Sequence, residues 1–569
     1  MRLSAPAAGL LAGAVTGIAD AVIVHTNPPW AITLTPHVAS FTWLGVIWTW
    51  MTVCCLAGAL FSSPRLGRLR AIPIAFAGPG LLLLSRTAAW LKNTGGLQAR
   101  TVLMVIAAVT CAIAAAIALI PLAETRAVRR YLAASLVSVF AIAFCGADVP
   151  LPQPPASRAA GTSNATQRNV VLIFLDTVRA GDARAMPRLG AFSRQAVTFE
   201  NAWAPAPWTI PSHFAMLTGI EPWIASYDAK RHRYTHDAPL LSQQLQARGY
   251  ETHAIFANYL LSEGGGFGAG FDTLQRSRES RVCASGIANL AFRVWLYNAP
   301  RIPWCGVQTG SRITASARGF VAHAKRPYLL AANYMDAHDP YYVERRCHDA
   351  SFRQVSRAER EHVLNATPAS PPNPEIAERV HAQYRAALQC LDRSLGELLD
   401  DVERDPRTVI AIVGDHGEQF GEHGLGWHGN SVYRQVLHVP LMIKAPGLAP
   451  ARITDAVSIS DLHRTLLTLA DPSRGRARLP LLDAKTRRTV TAFYLSSPSG
   501  EGAVSVTRGD HHFIRWLSGR EALYDYRRDP EETHPLSNED IAQPLREIAT
   551  KAARTHGSAA DFRALGYLH

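Results

Sequence analysis

Thr209 lies in Trp208-Thr209-Ile210-Pro211-Ser212-His213, just ahead of the apolar stretch Phe214-Ala215-Met216-Leu217. A hydroxyl there is expected to cap a helix N-terminus, where free N–H groups and the helix dipole favour an anion. The same hydroxyl becomes a nucleophile once something lowers its pKa. A divalent cation would do so, and the sequence offers Asp and His residues to hold one: Asp176, then Asp336, His338 and Asp339, then Asp415 and His416.

These residues recur in one kind of place. Asn169–Leu175 is an apolar run of strand length ending at Asp176, Tyr328–Tyr334 runs into Asp336 and His338, and Thr408–Val413 runs into Asp415 and His416. Runs apolar on both faces predict buried strands of a largely parallel sheet covered by helices. Ligands of such α/β sheets gather beyond the C-terminal strand ends. Any one of these residues alone reads as a turn or loop cap. Three strand ends and Thr209 together read as a metal site.

The chain resembles the sulfatase family of the alkaline phosphatase superfamily over roughly residues 169 to 569. The likeness rests on Asn169–Thr177, Phe199-Glu200-Asn201-Ala202-Trp203 and Thr209–His213 with Leu217-Thr218-Gly219. It continues in His338-Asp339-Pro340-Tyr341, Gly414–Glu418, Gly421-Glu422-His423-Gly424 and His428-Gly429. It ends in Leu523–Tyr526 and Leu565-Gly566-Tyr567. The resemblance implies a mostly parallel sheet sandwiched by helices and a small C-terminal α+β subdomain. It also implies one divalent cation (Mn, Mg, Ca or Zn) held by Asp176, Asp415, His416 and Thr209, with Thr209 as nucleophile. His338 and His428 match positions that contact the transferred group or protonate the leaving oxygen. His213 stands where sulfatases usually place an Arg that meets substrate. His232, His236, His253 and His423 are expected to carry no chemistry.

Three departures narrow the reaction. Sulfatases oxidise Cys or Ser to formylglycine, but the Cβ methyl of Thr209 bars an aldehyde there. The first motif reads Asp176-Thr177 where two acidic residues are common, and Ala257-Asn258-Tyr259-Leu260-Leu261 replaces a Gly-Lys…His segment. Membrane phosphoethanolamine transferases and lipoteichoic acid synthases are similar in using Thr on phosphorus. The expected activity is cleavage or transfer of a phosphoryl (or sulfuryl) ester group. The alternatives are a sulfatase working without formylglycine and a non-catalytic binding protein; a binding module has no need of the whole set of site residues.

Residues 1–149 hold apolar stretches at roughly 5–25, 39–62, 71–91, 102–123 and 131–147, most near the ~20 residues that span a bilayer. Arg2, Arg65, Arg68, Arg70, Arg126, Arg129 and Arg130 fall on one side of five such spans, against Lys92 and Arg100 on the other. The positive-inside rule then puts the N-terminus in the cytoplasm and the large domain on the periplasmic or extracellular face of the cell membrane. A formal charge of +13 over 569 residues would suit nucleic acid, but no basic recognition motif is present. An external domain instead meets anionic lipid or glycan esters, and these are the expected substrates.

Pro150, Pro152, Pro154 and Pro155 open a linker over 150–168, followed by a catalytic domain over 169–489 and a C-terminal subdomain over 490–569. Within the catalytic domain, 238–249 and 375–404 read as helices, Tyr250–Asn258 as a strand, Gly264–Gly268 as a flexible loop, and 277–326 and 343–373 as insertions near the site that would set substrate choice. Cys283, Cys305, Cys347 and Cys390 are an even number in a compartment that permits disulfides. Pairing 283 with 305 and 347 with 390 is preferred among three connectivities.

Overall fold

In a computed structural model of the chain, Asn169–Leu175 forms strand β1, buried at every residue. The structure describes residues 166–555 except 229–232, 236, 259, 262–264, 277–308, 325–326, 350–351, 475–478, 483–488 and 495–501. The five expected spans, nearly all of the linker, and Cys283 with Cys305 lie outside these. Among the described residues no helix is long and apolar enough to cross a membrane.

After β1 come α1 (Pro187–Ser193), β2 (Val197–Trp203), α2 (Thr209–Thr218), β3 (Ser226–Asp228) and β4 (Arg233–Thr235). Then follow α3 (Leu241–Gln246), β5 (Glu251–Phe256), β6 (Thr273–Arg276), α4 (Gly310–His323) and β7 (Tyr328–Tyr334). Next are α5 (Arg357–Leu364), α6 (Pro374–Val402), β8 (Thr408–Gly414), β9 (Gln419–Phe420) and β10 (Gly426–Trp427). The chain continues with α7 (Arg434–Leu437), β11 (His438–Lys444), β12 (Ala451–Ser458) and α8 (Leu462–Ala470). Last are β13 (Thr489–Tyr494), β14 (Ala503–Arg508), β15 (His511–Trp516), β16 (Glu521–Asp525) and α9 (Glu539–Thr555).

Eight strands form one sheet in the order β12-β2-β11-β8-β1-β7-β5-β6. Only β11 runs antiparallel to its neighbours. The period of two along β1 divides the core. Val170, Leu172 and Phe174 pack with Ile210 and Phe214 of α2, Leu241 of α3 and Leu466 of α8. Val171, Ile173 and Leu175 pack with Leu189 of α1, Ile313 of α4 and Leu391 of α6 on the other face. Each fully buried aliphatic side chain contributes about 1.5–3 kcal/mol, so these runs hold the sheet rigid under the site.

Helix α6 starts where Asn373 accepts the N–H groups of Glu375 and Ile376; Pro374 takes the first turn, where no N–H is needed. Leu388, Leu391, Leu395, Leu398 and Leu399 are buried along it. The segment read as an insertion over 277–326 is partly core: α4 buries Ile313 and Ala317, and Thr314 bonds the Ser394 carbonyl of α6 at 2.9 Å. Its arginines and serines hid a short apolar face. The helix expected over 238–249 is shorter, because Pro239 delays its start and Gly249 (φ +85°) ends the turn after it. Cys347 and Cys390 form a disulfide across a 43-residue separation, a loop whose closure stabilises by about 4 kcal/mol in the chain-entropy account.

Strands β13–β16 form a separate antiparallel sheet. One face joins the main core through Ala503, Ile514 and Trp516, and the other packs Val504, Val506 and Phe513 against Leu545 of α9.

His463 of α8 accepts a hydrogen bond from Gln244 Nε2 at 3.0 Å, and burial lowers its pKa to about 4. The unfolded chain binds this proton near pH 6.5 and the folded protein does not, so this group's contribution is complete above pH 6.5 and declines as pH falls. The expected loss is about 2 kcal/mol between pH 6.5 and 5. His463→Gln should flatten the pH dependence of urea unfolding there by close to one proton.

Candidate active site

Strands β8, β1 and β7 lie side by side and parallel, so Asp415-His416, Asp176 and Asp336-His338 emerge at one edge. Ligand atoms of Asp176, Asp415 and His416 all lie within 4.8 Å of one another. His416 Nε2 is 3.8 Å from Asp176 Oδ1 and 3.5 Å from Asp415 Oδ2. His416 Nδ1 donates to the Gly417 carbonyl at 3.0 Å, which leaves a lone pair on Nε2.

The carboxylates are divided in the same way. Asp415 Oδ1 accepts from the N–H groups of Thr177 and His416 at 3.2 and 2.8 Å. Asp176 Oδ2 accepts from Asn258 Nδ2 at 2.8 Å. Asp176 Oδ1 and Asp415 Oδ2 are buried without a partner. Two unpartnered carboxylate oxygens and an imidazole lone pair aimed at one point fit a divalent cation. Burial first, then the charge of Asp176, pushes the Asp415 carboxyl well above its usual range; a cation there would reverse that.

Thr177, at the position of the second acidic residue, takes no part through its side chain. It holds φ +59°, costly for a β-branched residue by about 1–3 kcal/mol, and its hydroxyl turns back to the Asp176 carbonyl at 2.7 Å. The strain aims its N–H at Asp415.

The cap expected at Thr209 is corrected. Trp208, in extended backbone (φ −161°, ψ 165°), is the N-cap, and Thr209 is the first residue of α2. Its Oγ1 is therefore free of the helix. It lies 3.3 Å from His416 Nε2 and accepts from Asn258 Nδ2 at 3.2 Å. The helix closes at Gly219, whose φ of +73° is the left-handed C-terminal turn.

His213, in the first turns of α2, is fully buried. Its Nδ1 donates to the Thr209 carbonyl at 3.0 Å and lies 3.5 Å from Asp415 Oδ2, and its ring packs on Phe174. Burial lowers its pKa to about 3. It stands beside the metal ligands, as a neutral ring.

His338 and His428 form a pair with ring centroids 5.1 Å apart. His338 Nδ1 donates to the Asp339 carbonyl, and His428 Nδ1 meets Glu418 Oε1, both at 3.0 Å. Each Nε2 is thereby left to act. The His428 ring stacks on Trp427 and stands 4.4 Å from that of His416. Glu418 is fully buried, accepts from Tyr341 at 3.3 Å and has its carboxyl pushed up to about 8 by burial.

Segment 343–373 does border this pair. Arg360 of α5 bonds Asp339 Oδ1 at 3.0 Å, and a Cβ at Gly426 of β10 would stand 1.7 Å from the Val363 carbonyl. Gly426→Ala must push the β9–β10 hairpin off α5. We expect a loss of about 1–3 kcal/mol, read as a lowered Tm, with a fall in activity as His428 shifts.

Three polar residues at the site had no role assigned from sequence: Asn258, Asn333 and Glu418. Asn333 Oδ1 accepts the Asn258 N–H at 2.8 Å, and its own amide lies 3.4 Å from Asp176 Oδ2. Asn333 is the polar residue inside the apolar run of β7, and Asn258 closes the expected strand Tyr250–Asn258. The strand-end rule, applied to β5, finds it.

The sulfatase family model matches residues 168–472 of the chain. A sulfatase of Formosa agariphila is 24% identical over 393 residues, 61% of this chain and 77% of that protein. A choline-sulfatase of Rhizobium meliloti is 24% identical over 435 residues, 65% and 82% of the two. Among solved structures, a phosphonate monoester hydrolase from Silicibacter pomeroyi superposes with a TM-score of 0.53 at 18% identity, covering 68% of this chain and 95% of that one.

Proposed function

Because the chain belongs to the sulfatase family, hydrolases of the alkaline phosphatase superfamily, we propose that it cleaves or transfers a phosphoryl ester group through Thr209. The observation that carries this reading is the placement of Thr209 Oγ1, 3.3 Å from His416 Nε2, on the first residue of α2 and not on its cap.

A divalent cation held by Asp176, Asp415, His416 and Thr209 would lower the pKa of the hydroxyl and neutralise the non-bridging oxygens of the ester. Thr209 Oγ1, its proton given up to solvent, bonds to phosphorus as the ester P–O bond opposite breaks. The electron pair leaves with the alcohol oxygen, which takes a proton from His338 or His428. Water or an acceptor hydroxyl then displaces Thr209, with the same histidines accepting a proton. Glu418 fixes His428 for this exchange, and His213 keeps the first turn of α2 against Asp415.

The substrate in this reading is an anionic lipid or glycan ester of the cell envelope, met by an external domain anchored through residues 1–149. The Cys347–Cys390 disulfide supports an oxidising compartment. Sulfate esters are the second candidate, favoured by the sulfatases among the relatives. The test is to incubate the protein with a phosphodiester and a sulfate ester across several divalent cations and search the Thr209 peptide for an adduct by mass spectrometry. Sulfate turnover without phosphodiester turnover would overturn the phosphoryl reading.

A further inference from the structure

We propose that Asn258 is a catalytic residue, an uncharged donor whose amide N–H stabilises the charge on Thr209 Oγ1 as it attacks and again as it is displaced. This rests on Thr209 being the nucleophile. The carboxamide is held at every polar atom. Its Oδ1 accepts the Leu260 N–H at 3.0 Å, so the NH2 group must face the site. One of its hydrogens goes to Asp176 Oδ2 at 2.8 Å and the other to Thr209 Oγ1 at 3.2 Å. The residue is buried and its backbone N–H is tied to Asn333, so the donor is preorganised and loses nothing to reorientation during the reaction.

Two consequences follow from the bonds. By occupying Asp176 Oδ2, Asn258 assigns the unpartnered Oδ1 to the cation. By donating to Oγ1, it takes one lone pair of the nucleophile and leaves another for phosphorus. Among the described residues no Lys or Arg side chain bonds Thr209, so the donor at this oxygen is neutral. Charge develops on Oγ1 as the neutral hydroxyl gives up its proton, where the amide meets it, and passes to the leaving oxygen as the Oγ1–P bond forms. In the second step it returns to Oγ1, and the amide meets it there.

The rival role is indirect: Asn258 would only orient Asp176 for the metal. Metal affinity separates the two. The full-length protein in detergent would be assayed with bis(p-nitrophenyl) phosphate at saturating Mn²⁺, with the Mn²⁺ Kd measured by calorimetry and the rate of Thr209 adduct formation followed by mass spectrometry. Asn258→Ala should lower kcat and the adduct rate by about 10²–10³-fold at saturating Mn²⁺. Asn258→Asp keeps the shape and the Leu260 bond but puts an acceptor against Oγ1, and it should fall at least as far. A kcat for Asn258→Ala within about threefold of wild type once Mn²⁺ saturates, with only the Kd weakened, overturns the proposal. Where the alanine variant does not fold, wild-type turnover by Asn258→Asp overturns it equally. Thr209→Ala is run alongside: turnover that survives it sinks the nucleophile reading itself, whereas its loss beside an unaffected Asn258→Ala sinks only the role of Asn258.

Discussion

Thr209→Ala is expected to lower phosphodiester turnover by a factor on the order of 10⁴ or more, while Thr209→Ser retains activity within about tenfold. The alanine removes the one protein atom that bonds to phosphorus in this reading, and among the described residues no neighbouring hydroxyl is poised to replace it. Ser212, the nearest hydroxyl in the chain, donates to the Ala206 carbonyl at 3.0 Å. Mn²⁺ binding should survive the substitution, because Asp176, Asp415 and His416 still supply three ligand atoms within 4.8 Å. Calorimetry on Thr209→Ala therefore separates chemistry from site collapse. A variant that binds Mn²⁺ normally and still turns over would remove Thr209 from the mechanism.

The contrast between Thr209 and Asn258 shows what was legible in the sequence and what was not. Strands β1 and β7 match their expected bounds and β8 differs by one residue, because an unbroken buried run is a signal that each strand carries within itself. The edge where Asp176, His338 and Asp415 meet follows from the same signal. Long amphipathic α6 is equally local. What escaped depends on residues far apart in the chain. The hydroxyl of Thr209 has two plausible tasks, capping and attack, and only the extended backbone of Trp208 hands the cap position elsewhere. Asn258 reads as a substitution in a motif until β5 is seen beside β7, where its amide spans Thr209 and Asp176. Glu418 gains meaning only when the β9–β10 hairpin brings His428 back to it, ten positions later. Helix α4 was hidden by a polar face that masked its few buried contacts.

Asp415→Asn is expected to move metal binding and metal-free stability in opposite directions. In the described structure Asp415 Oδ2 faces Asp176 Oδ1 and the His416 lone pair with no donor between them. A buried charge so placed costs several kcal/mol unless something neutralises it. The asparagine keeps the Oδ1 acceptor that Thr177 and His416 use and puts an NH2 where the unpartnered oxygen stood. Metal-free Asp415→Asn should therefore melt no lower than metal-free wild type. Adding Mn²⁺ raises the wild-type Tm by mass action, about 2.7 kcal/mol at a hundredfold excess over Kd, and should leave the variant nearly unmoved. Its turnover should fall by about 10³-fold or more, as the wild type's should on treatment with a chelator, and added Mn²⁺ should restore only the wild type. A variant that melts lower without metal but keeps its Mn²⁺ response would mean that Asp415 is a structural hydrogen-bond acceptor, and that the cation sits elsewhere.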